Sequence, residues 1–261
     1  MATRTPRTPA TLTAFVLHHY DWSESSLILD LFTREQGRLA VVAKGAKRPY
    51  SQMRGVLLPF QRLQVSLGKP PKAEAGEGAS EVQTLRAAEW GGGLAMPTGA
   101  ALFSGFYLNE LLMKLLARSD AHPALFDLYA QTLPALSSHS ENDAQAVLRA
   151  FEVVLLKEIG LLPELSLQTL TQEAVQADRR YAVLPEAGVT LPRASDAALT
   201  GTVLIGLQAA LEHGSLAALQ QACTPALPEL KSVLRGLLHY HLGSPVLRTR
   251  QVMRDVQALD R

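Results

Sequence analysis

The apolar residues change their spacing once along this chain, and that change restricts the fold more than anything else in the sequence. Up to about residue 90 they come in short runs bounded by turn formers, and from Pro97 onward they recur at three and four residues. In the first part, residues 12–18, 26–32 and 38–43 read as strands. The last two are joined by Thr33-Arg-Glu-Gln-Gly37, a hairpin-length connection ending in glycine. Residues 56–60 and the alternating run 63–67 read as a further pair, and 81–87 as a last strand. The breaker-rich stretch 69–80 reads as a long mobile loop. Five or six short strands in this length predict a small closed or nearly closed barrel, for which a β-sandwich would be short of strands.

The second part predicts helices. Leu102, Phe106, Leu108, Leu111, Leu112 and Leu115 form one apolar stripe, a second helix follows Pro123, and a third runs over about 144–159 until Gly160 and Pro163 stop it. The periodicity lapses over 164–194, where only 181–184 reads as a short strand. Helical patterns return near 196–212, 215–222, 228–242 and 248–258. Gly91-Gly-Gly93 is the natural seam between the two parts, and no solenoid repeat is present.

Several classes of protein are excluded at this point. The single cysteine, Cys223, rules out internal disulfides and cysteine-rich zinc modules, and it is expected to be a small core residue. The N-terminus has no apolar run of the signal-peptide kind, and no stretch approaches the roughly 18 apolar residues of a membrane span, so a cytoplasmic protein is expected. No nucleophile elbow, Walker-type loop or complete Gly-x-Gly-x-x-Gly occurs. Gly76 and Gly78 belong to the breaker-rich loop. His18 and His19 point to opposite faces of a strand, and His239 and His241 are about 200° apart on a helix, so neither pair makes a metal site. No enzyme activity, cofactor or metal is expected.

Charge supplies the positive signal. The net charge of +1 divides into +6 over residues 1–70, −8 over 71–226 and +3 over 227–261. Within the basic front end, the segment 43–54 carries Lys44, Lys47, Arg48 and Arg54 with no acid at all. Gly45 and Pro49 bend it, and Tyr50 and Trp22 are available for stacking. Cations on such a loop can follow a phosphate backbone without reading bases, or can simply keep a strand edge soluble. Arg34 and Arg38 flank the neighbouring hairpin and are expected to extend the patch. A second stripe, Lys231, Arg235 and His239, lies at i, i+4 and i+8, with Arg248, Arg250 and Arg254 beyond Gly243.

The string Tyr20-Asp-Trp-Ser-Glu-Ser-Ser-Leu-Ile-Leu29, then Phe32-Thr-Arg-Glu-Gln-Gly-Arg38 and Val42-Ala-Lys-Gly-Ala-Lys47, resembles the bacterial recombination mediator family RecO. Arg54–Phe60, Tyr107-Leu-Asn-Glu-Leu-Leu112, Phe151–Leu156 with Gly160, and Leu242-Gly-Ser-Pro-Val-Leu-Arg-Thr-Arg250 continue the match. In the last of these, Thr249 stands where serine is usual. The resemblance implies an α+β chain, with a five-stranded OB-type β-barrel over residues 1–90 and an all-helical C-terminal domain over 91–261. It further implies a nucleoid-associated protein that binds single- and double-stranded DNA and anneals strands. Its partners would be RecR and, indirectly, RecA, which it helps to load onto DNA coated by the single-stranded-DNA-binding protein (SSB). Residues 164–194 contain none of the cysteines of the family's zinc module, so no zinc is expected there. The acidic tail of SSB, ending in phenylalanine and a terminal carboxylate, needs an apolar pocket with a cation at its lip. Leu148, Phe151 and Leu155 on one helix face, with Arg149 at the edge and Lys157 further along, are the expected parts. The reading from a different class is a protein–protein adaptor that uses the barrel only as a scaffold.

Overall fold

The computed structural model describes residues 11–68, 82–92, 96–137, 140–243, 247–249 and 251–252. The loop expected over 69–80, Gly93, Arg250, Arg254 and most of the helix expected over 248–258 lie outside these residues.

Five strands close into a barrel in the order β1-β2-β3-β5-β4: β1 (Thr11–Asp21), β2 (Leu27–Thr33), β3 (Gly37–Ala43), β4 (Arg62–Leu67) and β5 (Val82–Trp90). All neighbouring pairs are antiparallel except β3 with β5. Closure follows from alternation. Leu12, Ala14 and Val16 on β1, Leu29 and Leu31 on β2, Leu39 and Val41 on β3, Leu63 and Val65 on β4 and Leu85 on β5 all turn inward into one core. Residues 56–60, expected as a strand, are not one. A short 3₁₀ turn occupies Gln52–Gly55, Pro59 forms only an isolated bridge with Val16, and Phe60 has φ 66°. Proline has no N–H for a ladder, and a positive φ ends an extended run. Leu57 and Ala46 are nonetheless buried in the barrel core, and Met53 and Val56 pack against that core.

The chain divides into two compact units, Met1–Met96 with Leu116–Phe126, and Pro97–Leu115 with Asp127–Arg261. In the first unit, Phe126 packs against Phe15 and Phe32 at ring separations of 5.2 and 5.3 Å. Gly37 has φ +70°, and a Cβ there would lie 1.7 Å from the Asp120 carbonyl oxygen.

The second unit is built mainly from helices: α1 (Gly99–Leu115), α2 (Pro123–Ala135, of which the first turn belongs with the barrel), α3 (Glu141–Glu158), α4 (Gly201–His213), α5 (Leu216–Cys223) and α6 (Leu227–Leu242). It is helical but not wholly so. Strands β6 (Arg180–Leu184), β7 (Gly188–Thr190) and β8 (Ala198–Thr200) form an antiparallel sheet in the order β7-β6-β8, which corrects the expectation of an all-helical domain. β7 and β8 have three residues each, too few to show alternation. α3 is the helix at the centre of this unit, with Phe151, Glu152, Leu155 and Leu156 all at 0% exposure.

Candidate nucleic-acid interface and anion pocket

One end of the barrel gathers the basic loop. β3 ends at Ala43, opposite Leu27 at the start of β2, so the segment after β3 meets the turn that joins β1 to β2. Three contacts tie them. The Lys47 amide donates to the Ser25 carbonyl at 3.0 Å, the Gly45 amide to Ser26 Oγ at 3.4 Å, and Lys47 Nζ lies 3.1 Å from Asp21 Oδ1. Gly45 turns the chain at φ +73°, where a side chain would be strained. Buried Ala46 anchors the segment while Lys44, Arg48, Arg54 and Tyr50 face solvent, Tyr50 almost completely. Apolar anchors below and cations above give a fixed positive rim, with the half-buried Lys47 steadied by its carboxylate.

Arg34 and Arg38 do not belong to this rim. Both are at the β2–β3 hairpin, the far end of a seven-residue strand and so about 20 Å away along it. Arg38 is held where it is. Its Nε lies 3.1 Å from Asp30 Oδ1, its Nη1 donates to the Leu116 carbonyl at 3.0 Å, and its own carbonyl accepts from the Ser119 amide at 2.9 Å. Burial pushes the Asp30 carboxyl upward, and Arg38 and Arg118 pull it back only in part, leaving it raised.

The second unit holds a pocket of about 140 Å³ lined by Phe103, Ser104, Tyr107, Gln145, Leu148, Arg149, Lys231 and Thr249. Of the residues expected at a tail site, Leu148 and Arg149 line this pocket. Phe151 and Leu155 do not, because both are sealed in the core behind them. Lys157 is also elsewhere, donating to the Leu211 carbonyl at 3.2 Å. Lys231, which the sequence groups with a DNA-facing stripe, is instead the second cation of this pocket. Arg235, one turn along α6, is exposed, as is Arg248.

Arg149 is itself 4% exposed. Its Nη1 lies 2.9 Å from Glu152 Oε2, and Tyr107 donates to Glu152 Oε1 at 2.5 Å. Cys223 is buried close by. Burial pushes its thiol up to about 12, against a smaller opposing pull from Arg149. Thr249 is fixed by Glu110 of α1, which accepts from the Arg248 and Thr249 amides at 2.9 Å each and from the Thr249 hydroxyl at 2.5 Å. Lys114 Nζ stands 3.1 Å from the same carboxylate. Burial alone would raise this carboxyl, but the Thr249 hydroxyl, the two amides and Lys114 together hold it below the usual glutamate range. The strings 107–112 and 242–250 therefore meet through Glu110, Arg248 and Thr249. Nothing in local spacing could have paired residues 139 positions apart.

Among the described residues no group of three or more His, Cys, Asp or Glu could hold a metal ion, and no helix is long and apolar enough to cross a membrane. The chain is a two-part protein of DNA repair and recombination, built on an OB-type barrel with a helical unit following it in sequence. The family profile described as Recombination protein O N terminal matches residues 8–85, and that described as Recombination protein O C terminal matches 96–251. DNA repair protein RecO of Verminephrobacter eiseniae (strain EF01-2) is 54% identical over 248 residues, 94% of this chain and 96% of that one. Its counterpart in Variovorax paradoxus (strain S110) is 52% identical over 255 residues, again 94% and 96% of the two chains. The chain belongs to the RecO family.

Proposed function

We propose that this protein is a nucleoid-associated recombination mediator that binds single- and double-stranded DNA through the barrel end carrying Lys44, Lys47, Arg48 and Arg54. In this reading it anneals complementary strands and, with RecR, helps to load RecA onto DNA coated by SSB. The observation that carries it is the acid-free basic loop, held at one barrel end by the β1–β2 turn. Cations presented this way release counterions from a phosphate backbone irrespective of sequence, and two strands screened on one positive rim can meet without nucleotide hydrolysis. Arg235 and Arg248, exposed on the helical unit, add weaker contacts, and Arg250 joins them in this reading by its place in the sequence alone. Arg34 and Arg38 lie at the other end of β3 from this rim, and the Arg38 guanidinium is already committed within the barrel unit.

The pocket of Leu148, Arg149 and Lys231 is the proposed seat of the SSB tail. Phe103, Tyr107 and Leu148 offer an apolar lining, and the exposed Lys231, with the nearly buried and Glu152-paired Arg149 behind it, suits a terminal carboxylate preceded by acids.

Fluorescence anisotropy of a labelled single-stranded oligonucleotide over a range of salt concentrations tests the DNA reading. Replacing Lys44, Lys47, Arg48 and Arg54 with alanine should flatten the log–log salt slope by about 0.7 for each phosphate no longer neutralised. A folded quadruple variant that binds as tightly as the parent would sink the assignment and leave a protein–protein adaptor.

A further inference from the structure

The chain beyond α6 returns to α1 and contributes to the lining of the pocket that holds Arg149 and Lys231. Leu247 anchors it in the core, and Thr249 lines the pocket. Every donor that Thr249 owns is already spent. Its amide and its hydroxyl both go to Glu110 Oε2, at 2.9 and 2.5 Å, and the Arg248 amide goes to Oε1 of the same carboxylate. The direction of the hydroxyl bond is forced. A carboxylate that receives two amides and stands 3.1 Å from Lys114 Nζ is ionised, and an ionised carboxylate only accepts. Thr249 Oγ is therefore left with lone pairs and has no proton to offer the pocket. Tyr107 spends its hydroxyl proton in the same manner, on Glu152.

The ligand follows from this division of donors and acceptors. Arg149 and Lys231 carry donors only, so the pocket joins cations to an oxygen that can only accept. Few anions suit both. A phosphodiester brings acceptors alone, and its oxygens would lie against the Thr249 lone pairs. The last residue of a peptide carries a carboxylate and an amide N–H on the same carbon, and it can meet a cation and an acceptor together. A glutamate behind an anion pocket would otherwise work against it. Here three donors and Lys114 surround the Glu110 charge.

We propose that Thr249 is a specificity-determining residue of this pocket, whose oxygen accepts the backbone N–H next to a peptide's terminal carboxylate. Glu110 is the positioning residue that turns the Thr249 proton away. This rests on the tail-binding reading above and adds to it the feature that selects a peptide end. The strings 107–112 and 242–250 then meet for a reason, since one supplies the acceptor and the other fixes its polarity.

Calorimetric titration of the full chain with two SSB-tail peptides tests this. One is natural, and in the other the last amide is an ester, which puts oxygen in place of the N–H and adds no bulk. The parent should bind the amide roughly fivefold more tightly, the size of one neutral hydrogen bond. Thr249→Val keeps the side-chain shape and both backbone contacts to Glu110, and it should bind the two peptides alike. Thr249→Ser should restore the preference. Glu110→Gln can donate its own amide to Thr249 and turn the hydroxyl proton outward, so the preference should shrink there as well. A merely loosened segment would weaken both peptides by one factor, and that unchanged ratio would overturn the role of Glu110. Equal binding of amide and ester by the parent, or a preference that survives Thr249→Val, would overturn the role of Thr249 and leave the tail pocket standing. A parent that binds neither peptide would overturn both readings.

Discussion

Gly37 stands where two demands meet. It closes the β2–β3 hairpin with a left-handed φ, and it passes so close to the Asp120 carbonyl that a methyl group has no room. Gly37→Ala adds the left-handed penalty to an overpacking cost, and a loss of about 2–4 kcal/mol is expected, read as a lower denaturation midpoint. The two pocket cations differ just as sharply from each other. Arg149→Ala would leave the fully buried Glu152 without its cation, a fault costing about 3–5 kcal/mol, so any fall in peptide binding would be confounded with damage to the fold. Lys231 is exposed and, among the described residues, supports no buried carboxylate. Lys231→Ala is expected to change stability by less than about 0.5 kcal/mol and to weaken an SSB-tail peptide severalfold in a calorimetric titration. An unchanged peptide affinity would remove the pocket from consideration.

At the level of elements, α3 begins where Ser140 Oγ accepts from the Asp143 amide at 3.3 Å, with Glu141 and Asp143 in the first turn. Ser140→Ala should cost about 1 kcal/mol in chemical denaturation, with α3 fraying from that end only. The strands were legible where one face is wet and the other dry, as in Arg62–Leu67, and the helices where a cap or a glycine marks an end. Val56–Phe60 misled because Val56 and Leu57 pack into the barrel core rather than extend a ladder, and composition is the same in both cases. The candidate site divides along the same line. Lys44, Lys47 and Arg48 were readable because they are neighbours in sequence and share a loop. The mistaken place of Arg38 shows the limit. Its partners are Asp30 across the hairpin and a carbonyl 78 residues on, so neither spacing nor charge reveals that it is already engaged. The pocket was only half legible for a related reason. A helix-face argument brings Leu148, Phe151 and Leu155 together, but which part of that face other elements cover is set by their packing.

On the scale of the molecule, the two units carry opposite responses to acid. Glu110 titrates below its ordinary value in the fold, so its contribution is complete above the unfolded glutamate pKa of about 4.3 and is lost as pH falls through the folded value. Asp30 titrates above its ordinary value, so the barrel unit gains stability on the same descent until the group is protonated in the unfolded chain as well. Hydrogen exchange followed from neutral to mildly acidic pH should therefore show the Arg248 and Thr249 amides losing protection before those of β2 and β3. Simultaneous loss would refute the separation. The buried thiol has a practical consequence of its own. With its ionisation pushed so high and its sulfur shut away, Cys223 stays silent towards alkylating reagents while the helical unit is closed. Its modification rate then clocks how often that unit opens. A second cysteine placed on the surface would take a fluorophore alone, so the native chain is ready for single-site labelling without first being stripped of its own sulfur.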